Sequence, residues 1–210
     1  VPQLSRDAIA EAARLINDSE RPIMLVGQGV KIAGAEQALI RLAEKACIPM
    51  ASTLMGLSAV PSSHPLYVGK LGMHGNIAPN DMTERSDLVI AVGMRFSDRV
   101  TGDVKRYAPL AKVVHIDIDS AEIGKNVRVD AGVLADAGEA LEALLPLVEQ
   151  KKRPEWLGYA KERYDHEYDI VSKHTLSHDQ GYLSMGGVVN EVADRYGGEG
   201  GRLTDGGRRA

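Results

Sequence analysis

Two arginines and an aspartate follow a strand-length apolar segment near the middle of the chain. Residues 87–93 read DLVIAVG, and Arg95, Asp98 and Arg99 come just after this run. An uninterrupted apolar run predicts a strand that is covered on both faces in a parallel sheet. Ligands of such sheets bind beyond the carboxyl ends of the strands, so these charges are placed to meet an anionic ligand. A solvated charged loop after an ordinary strand explains the same residues equally well.

A glycine turn follows another predicted strand nearer the start of the chain. Residues 23–26 predict a buried strand, and Gly27-Gln28-Gly29 leads into a helix that we expect over residues 33–46. Strand, glycine turn and helix begin a doubly wound α/β unit. The third glycine of a dinucleotide fingerprint is missing, because Ile32 stands at its position. We therefore favour turn glycines over an NAD site, and contact of their backbone N–H groups with an anion or ribose stays open.

Two further segments carry small, apolar and polar residues where a ligand could approach. Residues 49–52 predict a short strand, and residues 53–55 follow it as one possible wall of a crevice. Plain packing is the alternative there, since methionine fills gaps more often than it contacts ligands. Residues 72–75 read GMHG, and the flanking glycines let backbone approach a ligand closely. A lone histidine such as His74 is more often structural.

Carboxylates mark the end of the next predicted strand. Residues 112–119 form this strand, and Asp117 and Asp119 lie at its carboxyl end. A carboxylate there is the usual partner of ribose hydroxyls. The alternative is a cap for a short helix over residues 120–124, which suits Asp119 better than Asp117. Residues 127–134 predict one more strand.

Composition excludes several classes of protein. The 210 residues are 44% hydrophobic and 26% charged, which is the ordinary globular range, and the net charge of −4 excludes a nucleic-acid or anionic-membrane partner. No segment approaches the roughly 20 apolar residues that span a bilayer. Cys47 is the sole cysteine, so an internal disulfide is impossible; we place it in the core and expect a reducing compartment, the cytoplasm.

The organisation along the chain predicts one full domain and a piece of another. We assign residues 1–150 to a central cofactor-binding domain, 151–180 to a linker, and 181–210 to the truncated start of a third domain. Within the linker we expect a mostly solvated helix over residues 156–171. The chain starts without methionine and ends in GGRRA, so we expect a fragment of a longer protein.

A possible metal pair in the linker is not supported by its surroundings. His174 and His178 have the spacing of metal ligands on one helix face. No third ligand or glutamate base completes the pattern, and we predict no metal site in this chain.

Five motifs together resemble the catalytic subunits of the acetolactate synthase (acetohydroxyacid synthase) family. They are RPIMLVGQGV, STLMG, KLGMHGN, SDLVIAVGMRFSDRVTG and AKVVHIDIDSAEIGKN, and the similarity runs from about residue 21 to residue 146. The resemblance implies a three-domain enzyme that condenses two 2-keto acids, pyruvate with pyruvate or 2-ketobutyrate, with loss of CO2. The first and third domains of that family bind thiamine diphosphate and Mg2+ across a dimer interface, and the middle domain binds FAD.

By resemblance, this chain is the middle domain, an α/β fold with a doubly wound, six-stranded parallel sheet and helices on both faces. The resemblance also implies a homo-oligomer, dimer or tetramer, with a possible small regulatory subunit. Arg99 looks like the family arginine that recognises the carboxylate of the second keto acid, for which the guanidinium fork is suited. Carried over position by position, the FAD contacts fall on Gly27, Gln28, Gly29, Thr53, Leu54, Met55, Leu71, Gly72, Met73, His74, Gly93, Met94, Arg95, Asp98, Arg99, Val100, Asp117, Ile118, Asp136 and Ala137.

The chain departs from the family pattern at two positions of this site. Gln28 stands where the family usually has the middle of three glycines, and Ser97 stands where it often has aspartate. The activating glutamate and the GDG magnesium motif of the family belong to the first and third domains, so we expect the isolated chain to be inactive. Two alternatives stay open: the central domain of another thiamine enzyme, such as an oxidase or glyoxylate carboligase, and a cofactor-free scaffold domain.

Overall fold

A computed structural model describes residues 2–173 and 184–195. In this part of the chain, parallel strands form one sheet in the order β3-β2-β1-β4-β5-β6. The chain therefore builds outward from β1 to β3, crosses back to β4 beside β1, and continues outward to β6. This arrangement confirms the predicted six-stranded parallel sheet. The strands are β1 (Pro22–Val26), β2 (Met50–Ser52), β3 (Tyr67–Lys70), β4 (Leu88–Val92), β5 (Lys112–Asp117) and β6 (Ala131–Leu134).

Helices cover both faces of the sheet. A 3-10 turn (Leu54–Gly56) follows β2, and a π-helical turn (Tyr168–Ser172) follows α7. The α-helices of the described residues are α1 (Arg6–Asp18), α2 (Gln28–Ile32), α3 (Glu36–Ala46), α4 (Ile77–Arg85), α5 (Asp98–Thr101), α6 (Ala137–Leu144), α7 (Pro154–Glu167) and α8 (Met185–Arg195).

The two central strands are buried along their whole length, as their continuous apolar sequences predict. Successive side chains of a strand point to opposite faces, so β1 and β4 each contribute to two cores. Met24 and Ile90 pack with α1, α3 and α6 on one face. Leu25 and Ala91 pack with α4 and α7 on the other. Strands β1 and β4 pair directly from Pro22↔Leu88 to Val26↔Val92, which aligns their carboxyl ends.

Local capping explains where several elements begin and end. The Ser5 hydroxyl accepts a hydrogen bond from Ala8 N at 3.3 Å and caps α1. The Asp87 carboxylate accepts hydrogen bonds from Glu20 N and Arg21 N, at 2.8 and 2.9 Å, and joins the starts of β1 and β4. Cys47, half-buried against the core, ends α3 in the left-handed conformation at φ 53°.

Three predicted elements were wrong in extent. The helix expected over residues 33–46 begins three residues later, as α3 at Glu36, because Gly34 at φ +62° separates it from the short helix α2. The strand expected over residues 127–134 pairs only as β6. Residues 120–124 form turns instead of a helix, with the Asp119 carboxylate accepting Ala121 N at 2.9 Å.

The start of the predicted linker is bound tightly to the amino edge of the sheet. Arg153 is buried, and its guanidinium donates to Ala46 O and, at 3.0 Å, to Ser19 O. Trp156 is also buried and donates from Nε1 to Pro22 O at 2.8 Å. The helix starts two residues before the predicted one, and it is mostly exposed, as predicted, with Trp156 and Ala160 as its buried residues. His174 and His178 lie outside the described residues.

Arg153→Met is expected to lower the free energy of unfolding by about 2–3 kcal/mol, because it leaves buried carbonyl oxygens of Ala46 and Ser19 without a donor. Lys152→Met changes the exposed neighbouring cation and should shift stability by less than about 0.5 kcal/mol. Urea unfolding of the two variants beside the parent chain measures both effects. Equal midpoints for the two variants would contradict this role of Arg153.

Candidate functional site

The residues predicted to bind a cofactor all lie at the carboxyl edge of the sheet, at strand ends, in loops and in the first turns of the helices that follow. We call this edge the rim and define it as residues 27–29, 53–55, 71–74, 93–100, 117–118 and 136–137. Backbone hydrogen bonds join neighbouring loops and strands along it, including Thr53 N to Val26 O at 2.9 Å, Leu71 N to Ser52 O at 3.0 Å and Gly93 N to Ile116 O at 2.8 Å. The structure therefore brings the predicted residues together, and their binding of a cofactor stays a prediction.

The loops after β1 and β4 touch backbone to backbone at the centre of the rim. Gly27 N donates to Val92 O, and Gly29 N donates to Gly93 O, each at 2.9 Å. A Cβ atom at Gly27 would lie 2.1 Å from Gly93 O, and one at Gly29 would lie 2.6 Å from Gly93 Cα. Gly93 itself has φ +57°. Glycine is required here by the approach of the two loops, a reason that the sequence pattern did not show.

The segment after β4 crosses the rim to the loop after β3. Met73 N donates to Arg99 O at 2.9 Å, and a Cβ atom at Gly72 would lie 2.7 Å from the same oxygen. The Arg99 guanidinium lies 3.6 Å from the Met73 sulfur. Strands β3 and β4 are separated by two other strands, so this contact places Arg99 beside the His74 loop.

Large apolar side chains of the rim are exposed to solvent. Leu54, Met55 and Met73 are about 60% exposed, and Ile118 is 53% exposed. Met55 is therefore not the buried gap filler that was the alternative reading. Thr53 is buried and caps the 3-10 turn by accepting Gly56 N at 3.1 Å. An exposed apolar surface of this kind fits the flat face of an aromatic ligand.

The rim also carries exposed cations. Arg95 and Arg99 are both exposed. Among the described residues, no carboxylate lies within ion-pair distance of either guanidinium. Asp98, between them, accepts Arg99 N at 2.9 Å through Oδ1. The two guanidinium groups are therefore available for phosphate or carboxylate oxygens.

Two predicted carboxylates already have partners in the chain. Asp117 Oδ1 accepts Asp119 N at 2.9 Å, and Oδ2 lies 3.8 Å from Nε2 of the buried His115. Asp136 caps α6 by accepting Gly138 N at 2.9 Å and Glu139 N at 3.3 Å. The capping function of Asp136 was not predicted, although an aspartate before an apolar helical pattern is the usual signal for it.

His115 is a buried support of the rim that the sequence reading missed. The side chain is fully buried in β5; Nε2 donates to Met94 O at 2.9 Å and lies 3.8 Å from Asp117 Oδ2. The Phe96 ring packs edge-on at 5.1 Å. Among the described residues, Nδ1 has no hydrogen-bond partner. Burial lowers the pKa of the His115 imidazole, so the neutral ring holds the Met94 carbonyl.

The residues present fit a flavin nucleotide. Apolar side chains suit its ring system, guanidinium groups suit its diphosphate, and the free oxygen of Asp117 suits a ribose hydroxyl. Gln28 is exposed at the central glycine turn, so its side chain points away from the close contact with Gly93. The described residues contain no group of three or more His, Cys, Asp or Glu side chains that could hold a metal ion.

The fold and the match of its sequence define the class of protein. The chain belongs to the family described as thiamine pyrophosphate enzyme, central domain, which matches residues 9–144. No described helix has the length and apolar content needed to span a membrane.

Curated relatives narrow the comparison to one kind of enzyme. The chain is 51% identical over 152 residues to a probable acetolactate synthase large subunit of Methanocaldococcus jannaschii, covering 71% of this chain and 26% of the relative. It is 43% identical over 155 residues to the acetolactate synthase isozyme 1 large subunit of Escherichia coli, covering 74% of this chain and 27% of the relative. It is 44% identical over 153 residues to acetolactate synthase 2, chloroplastic, of Nicotiana tabacum, covering 72% and 23%. The chain spans about a quarter of the length of these relatives.

His115→Gln is expected to remove part of the acid sensitivity of the fold. The folded protein holds His115 neutral while the unfolded chain takes up a proton near its ordinary pKa of 6.5, so the parent loses up to about 1 kcal/mol of stability between pH 6.5 and 5.5. The glutamine amide still donates to Met94 O but does not titrate. Urea unfolding at both pH values measures the difference. His166→Gln, at an exposed position of α7, is the control, and an identical pH response of all three proteins would contradict the effect.

Proposed function

We propose that this chain is the central, FAD-holding domain of an acetolactate synthase catalytic subunit. The whole enzyme would condense two 2-keto acids, pyruvate with pyruvate or 2-ketobutyrate, with loss of CO2 in branched-chain amino acid biosynthesis. The names of relatives at 43–51% identity support this proposal, together with the thiamine enzyme family. One observation carries the FAD assignment. At the rim, exposed apolar side chains lie at the same edge of the sheet as guanidinium groups that make no ion pair within the described residues.

Each group of rim residues has a task in holding the cofactor. Leu54, Met55, Met73 and Ile118 would contact its apolar ring, which replaces water on exposed hydrocarbon. Arg95 would pair with phosphate oxygens, and the Asp117 carboxylate would accept a hydrogen bond from a ribose hydroxyl. When bound, FAD would supply a rigid ring system; because the proposed reaction has no net oxidation, its part would be structural.

Arg99 would recognise the carboxylate of the second keto acid. Its guanidinium is exposed, lies next to Met73 and makes no ion pair within the described residues. A planar guanidinium can pair with both oxygens of a carboxylate, which fixes the orientation of the substrate. Substrate selection at Arg99 thus depends on the contact between the α5 segment and the β3 loop.

The remaining parts of the enzyme follow from the same proposal. Thiamine diphosphate and Mg2+ would bind in the first and third domains of the complete protein. Residues 1–150 would form the central domain, 151–180 the linker and 181–210 the start of the third domain. The words "large subunit" in two relatives' names support a smaller regulatory partner. We also propose a cytoplasmic homo-oligomer, dimer or tetramer.

A visible absorption spectrum of the purified full-length protein tests the cofactor. We expect flavin absorption bands and close to one FAD released per chain on denaturation. A full-length protein that stays colourless after incubation with FAD would instead support a cofactor-free scaffold domain. Analysis of the products formed from pyruvate then separates acetolactate synthase from an oxidase or a carboligase.

Arg99→Ala in the full-length enzyme is expected to lower kcat/KM for the second keto acid about tenfold or more, which is the typical loss for a charged hydrogen-bonded pair. Competition between pyruvate and 2-ketobutyrate should also shift the product ratio. Arg106→Ala, at an exposed position after α5, serves as the matched control. Unchanged product ratios in the Arg99 variant would refute its role.

A further inference from the structure

A residue of α7, the helix in the predicted linker, contacts the two residues that follow the loop carrying His74. Glu167 is the last residue of α7, and its carboxylate accepts hydrogen bonds from Asn76 Nδ2 at 2.7 Å and from Ile77 N at 2.8 Å. The partners are 90 residues or more apart in the chain. The contact therefore joins the linker to the start of α4, directly after the β3 loop of the rim.

Glu167 supplies the cap that α4 lacks in its own sequence. Asn76 is the N-cap residue of α4, but its side chain makes no capping hydrogen bond. Instead Asn76 Oδ1 turns back and accepts Lys70 N at 2.9 Å. The first N–H groups of a helix need acceptors, and a carboxylate at this end is favoured by the helix dipole. Glu167 meets both requirements from another element.

The same contacts close the loop over residues 71–75. Asn76 N donates to Lys70 O at 2.7 Å, so the loop starts and ends at one pair of residues. Asn80, one turn into α4, accepts Gly72 N at 2.8 Å and donates to Gly72 O at 3.0 Å. Displacement of the first turn of α4 therefore moves Gly72, Met73 and His74 with it.

Helix α7 carries this contact from one edge of the sheet to the other. Its 14 residues, Pro154–Glu167, span about 21 Å; Trp156 lies at the amino edge and Glu167 beside residues 76 and 77, just after the β3 loop of the rim. Midway along α7, the Tyr159 hydroxyl donates a hydrogen bond to the Asp81 carboxylate of α4. The Arg85 guanidinium carbon lies over the Tyr159 ring, 5.5 Å from the ring centroid. After Glu167 the chain continues into the π-helical turn Tyr168–Ser172, a geometry that often marks functional positions.

We propose that Glu167 is a positioning residue that couples the linker to residues 71–74 of the rim. Its carboxylate holds the start of α4, and α4 in turn holds residues 71–74 in the arrangement that contacts the ligand. The part that concerns FAD rests on the proposed function. A shift of the linker would release the cap of α4 and loosen residues 71–74 of the rim.

Glu167→Ala and Glu167→Gln in the full-length protein test the coupling with two measurements. We expect about a tenfold faster amide hydrogen exchange across residues 71–77 of the ligand-free alanine variant, the size typical of a lost N-cap. We expect a similar rise in the FAD dissociation constant, measured by flavin fluorescence. Glutamine keeps an acceptor for Ile77 N but faces Asn76 Nδ2 with a second donor, so its effects should be smaller.

Two control variants separate coupling from general packing. Asp165→Ala removes an exposed carboxylate of α7 that pairs with Lys161, and Tyr159→Phe removes the hydrogen bond to Asp81 in the same α4–α7 contact. Both should leave exchange over residues 71–77 and FAD affinity near the parent values. An equal effect of Tyr159→Phe, or unchanged exchange in Glu167→Ala, would overturn the proposal. A parent enzyme without FAD would overturn the proposed function alone, since the exchange measurement needs no cofactor.

Discussion

The close approach of two backbone loops, after β1 and after β4, is the constraint on which the rim depends. Gly27 and Gly29 donate to Val92 O and Gly93 O, and no Cβ atom fits between the loops. At this contact α2 begins directly after β1, and the chain after Gly93 runs away from the crossover between β1 and β4. The glycines are thus fixed by the sheet order, because only neighbouring strands at a crossover bring two such loops together.

The position of Arg99 follows from that constraint in two steps. After Gly93, the Met94 carbonyl accepts a hydrogen bond from the neutral imidazole of His115 in β5, and this bond fixes the start of the segment. The segment then runs to the loop after β3, where Arg99 O accepts Met73 N. Arg99 therefore has a defined position although it lies on the short, exposed helix α5, because contacts at Met94 and at the Arg99 carbonyl fix the backbone of this segment. The role proposed for Arg99 would therefore depend on the buried His115.

Sequence reasoning identified the strands and their carboxyl ends because burial on both faces leaves continuous apolar runs. Together with the family resemblance, it placed the predicted site residues at one edge of the sheet, since every parallel strand ends at the same edge. It missed the break at Gly34, because a single glycine within a helical pattern carries no sign of its φ angle. It missed the partners of His115, Arg153 and Glu167 for a different reason: hydrogen bonds between residues about 20 to 130 positions apart leave no local pattern.

The two edges of the sheet differ in a way that indicates where a ligand belongs. At the amino edge, the linker covers the strand starts, with Arg153 and Trp156 buried and bonded to backbone carbonyls. At the carboxyl edge, large apolar side chains and guanidinium groups face solvent together. Exposed hydrocarbon favours a flat apolar partner, and unpaired guanidinium favours phosphate or carboxylate. A flavin nucleotide and a keto acid together would meet both demands. Helix α7 runs from the amino edge to residues 76 and 77 beside the rim, and the coupling proposed for Glu167 would carry a change at the linker to that site.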